Sequence, residues 1–376
     1  MGGKFSYDPE NRQAWRGAPN PPEPPKFAVD PIEEEVGALI ESDFALHPGR
    51  LDLEALPTSR EEVERLWVWA KQSCLPHFGP YEDAMSSRSS GLFHTRLSAA
   101  INLHRLLPAR LLVEAEEAPI PLASKEGFIR QLLGWREFVR HVHEESDGLR
   151  EMPGGRVEAA GKAGDGGYER WAGRRWPKAG SPLYLDGGAI PCALGCSEAL
   201  PPAYWGAHSG LACLDRVVAD VWREGRSHHI TRLVVLSGIA TMLDVNPREL
   251  TDWFWVAYVD SEEWVVEPNV LGMGTFAIGD YMSTKPYVTG AAYVNRMSDF
   301  CEGCAFSPRQ NCPLTNLCWA FLSPHERTLR DNPRMKLPLA SARRRAAAQR
   351  RRDAIVFDVV REALAGGKPV GPGHLP

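Results

Sequence analysis

Along most of this chain the apolar positions recur at three- and four-residue spacing, the period of a helix with one buried face. Two-residue alternation bounded by hairpin turns is absent, so the pattern predicts an all-α fold. Thr58-Ser-Arg-Glu61 has the form of a helix N-cap with a carboxylate in the first turn. Val63, Leu66, Trp67 and Ala70 follow at helical spacing. A second helix-rich part starts at Gly91-Leu-Phe-His-Thr-Arg-Leu-Ser98 and continues through Ile101, Leu103, Leu106 and Leu107. The stretch 124–138 is strongly amphipathic, with apolar residues Phe128, Ile129, Leu132, Leu133 and Trp135. Further helices are predicted over 211–222 and 228–236. Asn246 and Pro247 open another, which carries Trp253, Phe254, Trp255 and Tyr258.

Three stretches break the pattern. Residues 1–60 predict an extended lead-in, because Pro19, Pro21, Pro22, Pro24 and Pro25 cannot sit in a helix interior. Residues 150–200 are Gly-rich and predict a long loop between helical halves. Residues 336–376 predict a basic tail containing Arg343, Arg344, Arg345, Arg350, Arg351 and Arg352. The helical body is placed at 61–335.

The formal net charge of -5 argues against wholesale coating of nucleic acid, but a local basic groove is compatible with it. No apolar segment of signal-peptide type follows Met1, and no apolar run is long enough to span a membrane. A cytoplasmic protein is expected. There, clustered cysteines serve as metal ligands more often than as disulfides.

Such a cluster exists: Cys301, Cys304 and Cys312 form a C-x2-C-x7-C pattern. Cys318 follows six residues on, and Cys213 stands upstream on a predicted helix. Cys192 and Cys196 make a further pair in the Gly-rich loop. Spacing alone leaves zinc and iron–sulfur both open, with buried free cysteines as the plain alternative. The adjacent His228 and His229 point about 100° apart on a helix. An imidazole suits proton transfer near neutral pH, although a core histidine pair is the commoner case. Thr95 and Ser98, flanking Arg96 at a predicted helix start, offer an anion site or a simple cap. The aromatic residues of the second half are core by default, yet would also suit stacking on a flat ring. No glycine-rich nucleotide fingerprint is present.

Several of these stretches together resemble the prokaryotic photolyase and cryptochrome group that carries an iron–sulfur cluster, the bacterial (6-4) photolyase-like flavoproteins. They are 2–12, 78–85, 93–98, 126–138, 228–233, 264–273, 285–287 and 296–301, in order along nearly the whole chain. The resemblance implies a helical FAD-binding domain and a four-iron, four-sulfur cluster held by Cys213, Cys301, Cys304 and Cys312, with Cys318, Cys192 and Cys196 left out. It implies UV-damaged DNA as partner and light-driven repair, with His229 as proton donor to the lesion and His228 in support. A blue-light or redox sensor that binds FAD without repair, or a truncated non-catalytic form, is the alternative. Thr95 and Ser98 would lie near the flavin diphosphate. Arg136, Arg232, Asp260 and Asn269 would line the FAD site, and Trp205 and Trp253 would relay electrons to it. Arg130, Arg140, Arg232 and Lys285 could meet DNA phosphates. Family members carry an N-terminal α/β antenna domain. The chain starts at the segment that follows it, so no antenna pigment is expected here.

Overall fold

Ser59 opens the first long helix, Arg60–Trp69, through a capping box. Its hydroxyl accepts from the Glu62 N–H at 3.2 Å, and the Glu62 carboxylate accepts from the Ser59 N–H at 3.1 Å. The cap is therefore Ser59 with Glu62, one residue beyond the predicted Thr58 start. Val63, Leu66, Trp67 and Ala70 are all buried along this helix and its continuation. The computed structural model describes residues 6–8, 10–45, 47–161 and 186–376. Residues 2–5 and 9 of the first resembling stretch, and 162–185 of the Gly-rich loop, lie outside the described residues.

Helices dominate the described residues, and the strands Glu151–Met152 and Gly155–Arg156 pair as one short antiparallel ladder. Asn246 caps Pro247–Ala257 by accepting from the Arg248 N–H at 2.8 Å, with Pro247 where no N–H is needed. Two segments differ from expectation. Within the lead-in, Pro31–Asp43 is helical, because Asp30 and Glu33 form a capping box and Pro31 takes the first helical position. Within the basic tail, Lys336–Arg344 and Ala347–Ala365 are helices. Val356, Val360 and Leu364, spaced four apart, are buried where the second of these packs on Pro313–Leu322.

The core is divided. The largest cluster gathers residues from 194 to 370, together with Met85. A second holds the helices of residues 63–132 with Phe27, and a third joins Val139, Val142, Leu149 and Leu271. Four helical stretches carry a π turn: Ala70–Cys74, Arg130–Trp135, Thr231–Ser237 and Pro268–Gly274. No helix among the described residues is long and apolar enough to cross a membrane.

Candidate functional site

The three clusters meet around a cavity of about 330 Å³. Three of the π turns line it: Gln131, Leu132 and Trp135 come from the first, Arg232, Leu233 and Ser237 from the next, Asn269, Val270 and Met273 from the last. A π turn adds one residue to the helical round, re-aims the side chains after it, and recurs at functional sites. Ser90, Gly91, His94, Arg96, Glu224 and Arg226 line both this cavity and an adjoining one of about 900 Å³. Both volumes fall in the range of small-molecule sites.

Thr95, Ser98, Arg136, His228, His229, Arg232, Asp260 and Asn269 all line the first cavity. Arg232 donates to both Asp260 oxygens, at 2.9 and 3.1 Å, and to the Ser227 carbonyl at 2.9 Å. Its guanidinium lies 4.1 Å from the Tyr258 ring centre. Burial pushes the Asp260 carboxyl up, but the Arg232 charge and the Ser98 hydroxyl more than offset this and hold it below its ordinary value. Ser98 is the first residue of a five-residue helix, Ser98–Asn102, whose start has no side-chain cap. Thr95 and Ser98 therefore contribute hydroxyls rather than a long helix terminus.

Arg96, in a left-handed conformation (φ 58°), pairs with Glu224 at 2.7 Å. Arg226 donates to the Arg96 carbonyl at 2.8 Å, and Arg136 to Asn102 Oδ1 at 2.7 Å. Among the described residues neither Arg136 nor Arg226 forms an ion pair. Burial lowers both, Arg226 to about 10 with the Arg96 charge adding to the effect. Two half-buried guanidiniums with only neutral hydrogen-bond acceptors favour an anionic ligand. Trp135 Nε1 donates to Asn269 Oδ1 at 2.8 Å, which fixes that amide.

Three imidazoles converge at one end. His94 and His228 stack with centroids 4.5 Å apart and planes 9° apart, and His94 meets His229 at 5.5 Å. Burial drives His94 down to about 3 and lowers His228, so both are neutral at physiological pH. His229 differs: a third of its side chain is exposed, and its Nε2 faces Asp83 Oδ1 at 3.5 Å. Burial raises the Asp83 carboxyl, but His229, Arg12 and the Tyr293 hydroxyl together hold it below its ordinary range. Neither His94 nor Asp83 carries a sequence signal of its own, although both sit inside stretches that resemble the family.

Trp253 is fully buried one ring behind the cavity, 5.2 Å from Phe254, which lines it. Trp205 is not its neighbour. Trp222 stands between them, 6.0 Å from Trp253 and 5.2 Å from Trp205. The Trp222 and Trp253 indoles both donate to the Tyr204 carbonyl, at 2.9 and 2.8 Å. The aromatic density of the sequence flagged Trp222, but only the fold reveals its bridging position.

Cys213 starts the helix Ala212–Glu224, Cys301 and Cys304 flank a turn through Gly303 (φ 78°), and Cys312 precedes Pro313–Leu322. They share one region. Burial raises the Cys213 thiol and the charges of Cys312, Cys301 and Cys304 add to it, while Cys312 rises by burial to about 12. Yet no three of these four sulfurs lie within 4.8 Å of one another. Four ligands on one zinc ion would sit about 3.8 Å apart, given Zn–S bonds near 2.3 Å. The quartet does not stand at the ligand spacing of a single zinc ion. Cys318 faces Gly290, and the Lys285 charge acts on it.

The proposed phosphate-binding residues divide. Arg130 pairs with Glu82 and Glu126, Arg140 with Glu137 and Glu144, and Arg232 with Asp260. Their charge is spent within the protein, which leaves Lys285 exposed. Arg12 and Arg296 lie beside Tyr293, near His229.

A family model described as "Deoxyribodipyrimidine photo-lyase-related protein" matches residues 1–55. The chain is 31% identical over 350 residues to a (6-4) photolyase of Agrobacterium fabrum, covering 91% of this chain and 62% of that protein. It is 35% identical over 66 residues to an uncharacterised protein of Acanthamoeba polyphaga mimivirus, covering 18% of this chain and 54% of that one. A crystal structure of a bacterial class III photolyase from Agrobacterium tumefaciens matches with a TM-score of 0.45 at 14% identity, over 81% of this chain and 56% of that chain. The chain thus spans less than two thirds of the length of each of these relatives. Nine tenths of its residues align with that (6-4) photolyase at 31% identity, so the chain is similar to a photolyase over most of its own length.

Proposed function

We propose that this chain binds FAD and repairs (6-4) pyrimidine photoproducts in UV-damaged DNA under light. The observation that carries the reading is the convergence of eight residues, scattered from 95 to 269, on one apolar-walled cavity with two guanidiniums that form no ion pair among the described residues. Arg136 and Arg226 suit a diphosphate, and the adjoining cavity gives a dinucleotide room. Bound and reduced, FAD supplies on illumination the electron that the lesion needs.

The remaining roles fall to the chain itself. A flipped-out lesion would enter beside His229, with Arg296 and Lys285 as the cations to meet its phosphates. Of the three imidazoles only His229 combines exposure with a facing carboxylate, so it is the residue to hold and deliver a proton. Asp83 orients its ring, and the neutral His94–His228 stack supports it from behind. Trp205, Trp222 and Trp253 would connect the protein surface to the cavity. Cys213, Cys301, Cys304 and Cys312 would hold a four-iron cluster, in keeping with their wide spacing and all-thiolate donor set.

The test is an illuminated repair assay on an oligonucleotide containing a (6-4) photoproduct, preceded by an absorbance spectrum and an iron determination. Flavin bands over a broad iron–sulfur absorbance, and repair in light but not in the dark, are expected. His229→Ala should keep the spectrum and lose repair. Flavin binding without repair in the unaltered chain would move the assignment to a sensor.

A further inference from the structure

Away from the cavity, three chain segments converge on a second group of metal-type ligands. Cys196 Sγ, an Asp244 carboxylate oxygen and a His325 ring nitrogen all lie within 4.8 Å of one another. Cys196 Sγ stands 3.9 Å from Asp244 Oδ1, and His325 Nε2 stands 3.5 Å from that same oxygen. Cys192 joins from the other end of its turn. Its Sγ lies 3.3 Å from the Cys196 carbonyl oxygen.

The surrounding backbone holds this geometry. Gly195, at φ 72°, closes the turn between the two cysteines. Asp244 has a left-handed backbone (φ 57°), which is uncommon for a residue with a side chain and recurs where function demands it. The Glu198 N–H donates to the Asp244 carbonyl at 2.8 Å, and the Asn246 N–H donates to the Glu198 carbonyl at 2.8 Å, which fastens the loop alongside.

His325 supplies an independent sign of a missing ligand. It is 93% buried, its ring packs 4.5 Å from that of Phe321, and its Nε2 has no hydrogen-bond partner. Buried polar atoms are rarely left this way. The orphaned nitrogen is the one that approaches Asp244.

We propose that Cys196, Asp244 and His325 bind one zinc ion, with the Cys192 thiolate, which lies outside their 4.8 Å group, turning in as the fourth ligand. Two thiolates, an imidazole and a carboxylate are a tetrahedral zinc donor set. Zinc bonds of about 2.0–2.3 Å place neighbouring ligand atoms roughly 3.3–3.8 Å apart, and the separations of 3.5 and 3.9 Å need only a small contraction. Three of the four proposed ligands already stand within 4.8 Å of one another, whereas no three of the Cys213 quartet do. Asp244 also lines an open pocket of about 310 Å³, which gives the ion a way in. The ion would tie the 192–196 turn to the end of Gly238–Met242 and to the corner before Glu326–Leu329, a structural role apart from the photochemistry.

The experiment is elemental analysis of the full chain after incubation with zinc sulfate and exhaustive dialysis. One zinc per chain is expected, falling to background in the double variant Cys196→Ser/His325→Ala, with iron and flavin content unchanged. Absence of zinc from the unaltered chain, zinc retained by the variant, or a native Cys192–Cys196 disulfide seen by mass spectrometry would each overturn the proposal. Should the variant fail to accumulate, zinc-edge X-ray absorption on the unaltered protein decides. Two sulfur and two nitrogen or oxygen ligands support the site, whereas four sulfurs would assign the zinc to the other cysteines and sink it.

Discussion

Asp260→Asn isolates the charge that balances the cavity. The Asp260 side chain is 6% exposed and takes two hydrogen bonds from Arg232. Asparagine keeps the shape and one acceptor oxygen. It removes the countercharge from Arg232 and from the nearby Arg226, leaving Glu224 as the cavity's remaining carboxylate, already paired with Arg96. Breaking a fully buried pair costs about 3–5 kcal/mol. The Arg232 side chain keeps 26% exposure, so water screens part of the loss and about 2 kcal/mol is expected. In a chain of this size that lowers the melting temperature by roughly 2.5 °C. Because the Asp260 carboxyl is depressed in the fold, its contribution is complete above its ordinary value of 3.8 and is lost as pH falls through the lower folded value. Melting curves of both proteins by circular dichroism should therefore show a constant gap from neutral pH down to about 5, closing below about 4. No gap at neutral pH, or a gap that survives in acid, would show that packing rather than charge is at stake.

Other substitutions probe other parts of the frame. Arg248 donates to both Glu267 oxygens at 2.7 and 2.8 Å, with each side chain 3% exposed. Glu267→Gln should cost about 3 kcal/mol, the low end for a buried pair because Asp252 still serves Arg248; chemical denaturation will detect it, and an unchanged midpoint contradicts it. A Cβ on Gly210, at φ 81°, would fall 2.0 Å from the Val370 carbonyl oxygen. Gly210→Ala should therefore cost at least about 2 kcal/mol and expose the residues after 366 to limited proteolysis. Trp222→Phe should remove one hydrogen bond to Tyr204, costing about 1 kcal/mol. It should also slow photoreduction of bound flavin by an external donor, and an unaltered rate would place the electron path elsewhere.

The parts of the fold that were legible are those where local chemistry and packing agree. Ser59 with Glu62, and Asn246 with Pro247, cap helices where the sequence puts capping residues ahead of apolar stripes. The C-terminal helix was obscured because its arginines dominate composition, while Val356, Val360 and Leu364 carry the packing. Pro31–Asp43 was hidden by the prolines before it. The stripe 128–135 drifted for a different reason. After Arg130 the helix widens into a π turn, so Leu133 is 56% exposed while Trp135 reaches the cavity. A regular 3.6-residue period cannot describe that step, and the same step recurs at Thr231–Ser237 and Pro268–Gly274. The cavity residues were thus reached through family resemblance rather than periodicity. Arg226, His94 and Asp83 escaped because their roles depend on neighbours distant in sequence.

The cysteines show the same limit more sharply. C-x2-C-x7-C and C-x3-C spacings fix which sulfurs are near in sequence, not how far apart the fold holds them. That separation decides the chemistry. Sulfurs off the ligand spacing of a single zinc ion suit a cluster, whereas Cys196 with Asp244 and His325 sits at the contact distances of one ion. Two sites of different size predict two metals in one chain, iron and zinc, which respond to different substitutions. Cys301→Ala should abolish iron and leave zinc, and Cys196→Ser/His325→Ala should do the reverse. Loss of both metals in either variant would mean that the two groups are coupled through the helix Pro313–Leu322, which runs from Cys312 toward His325.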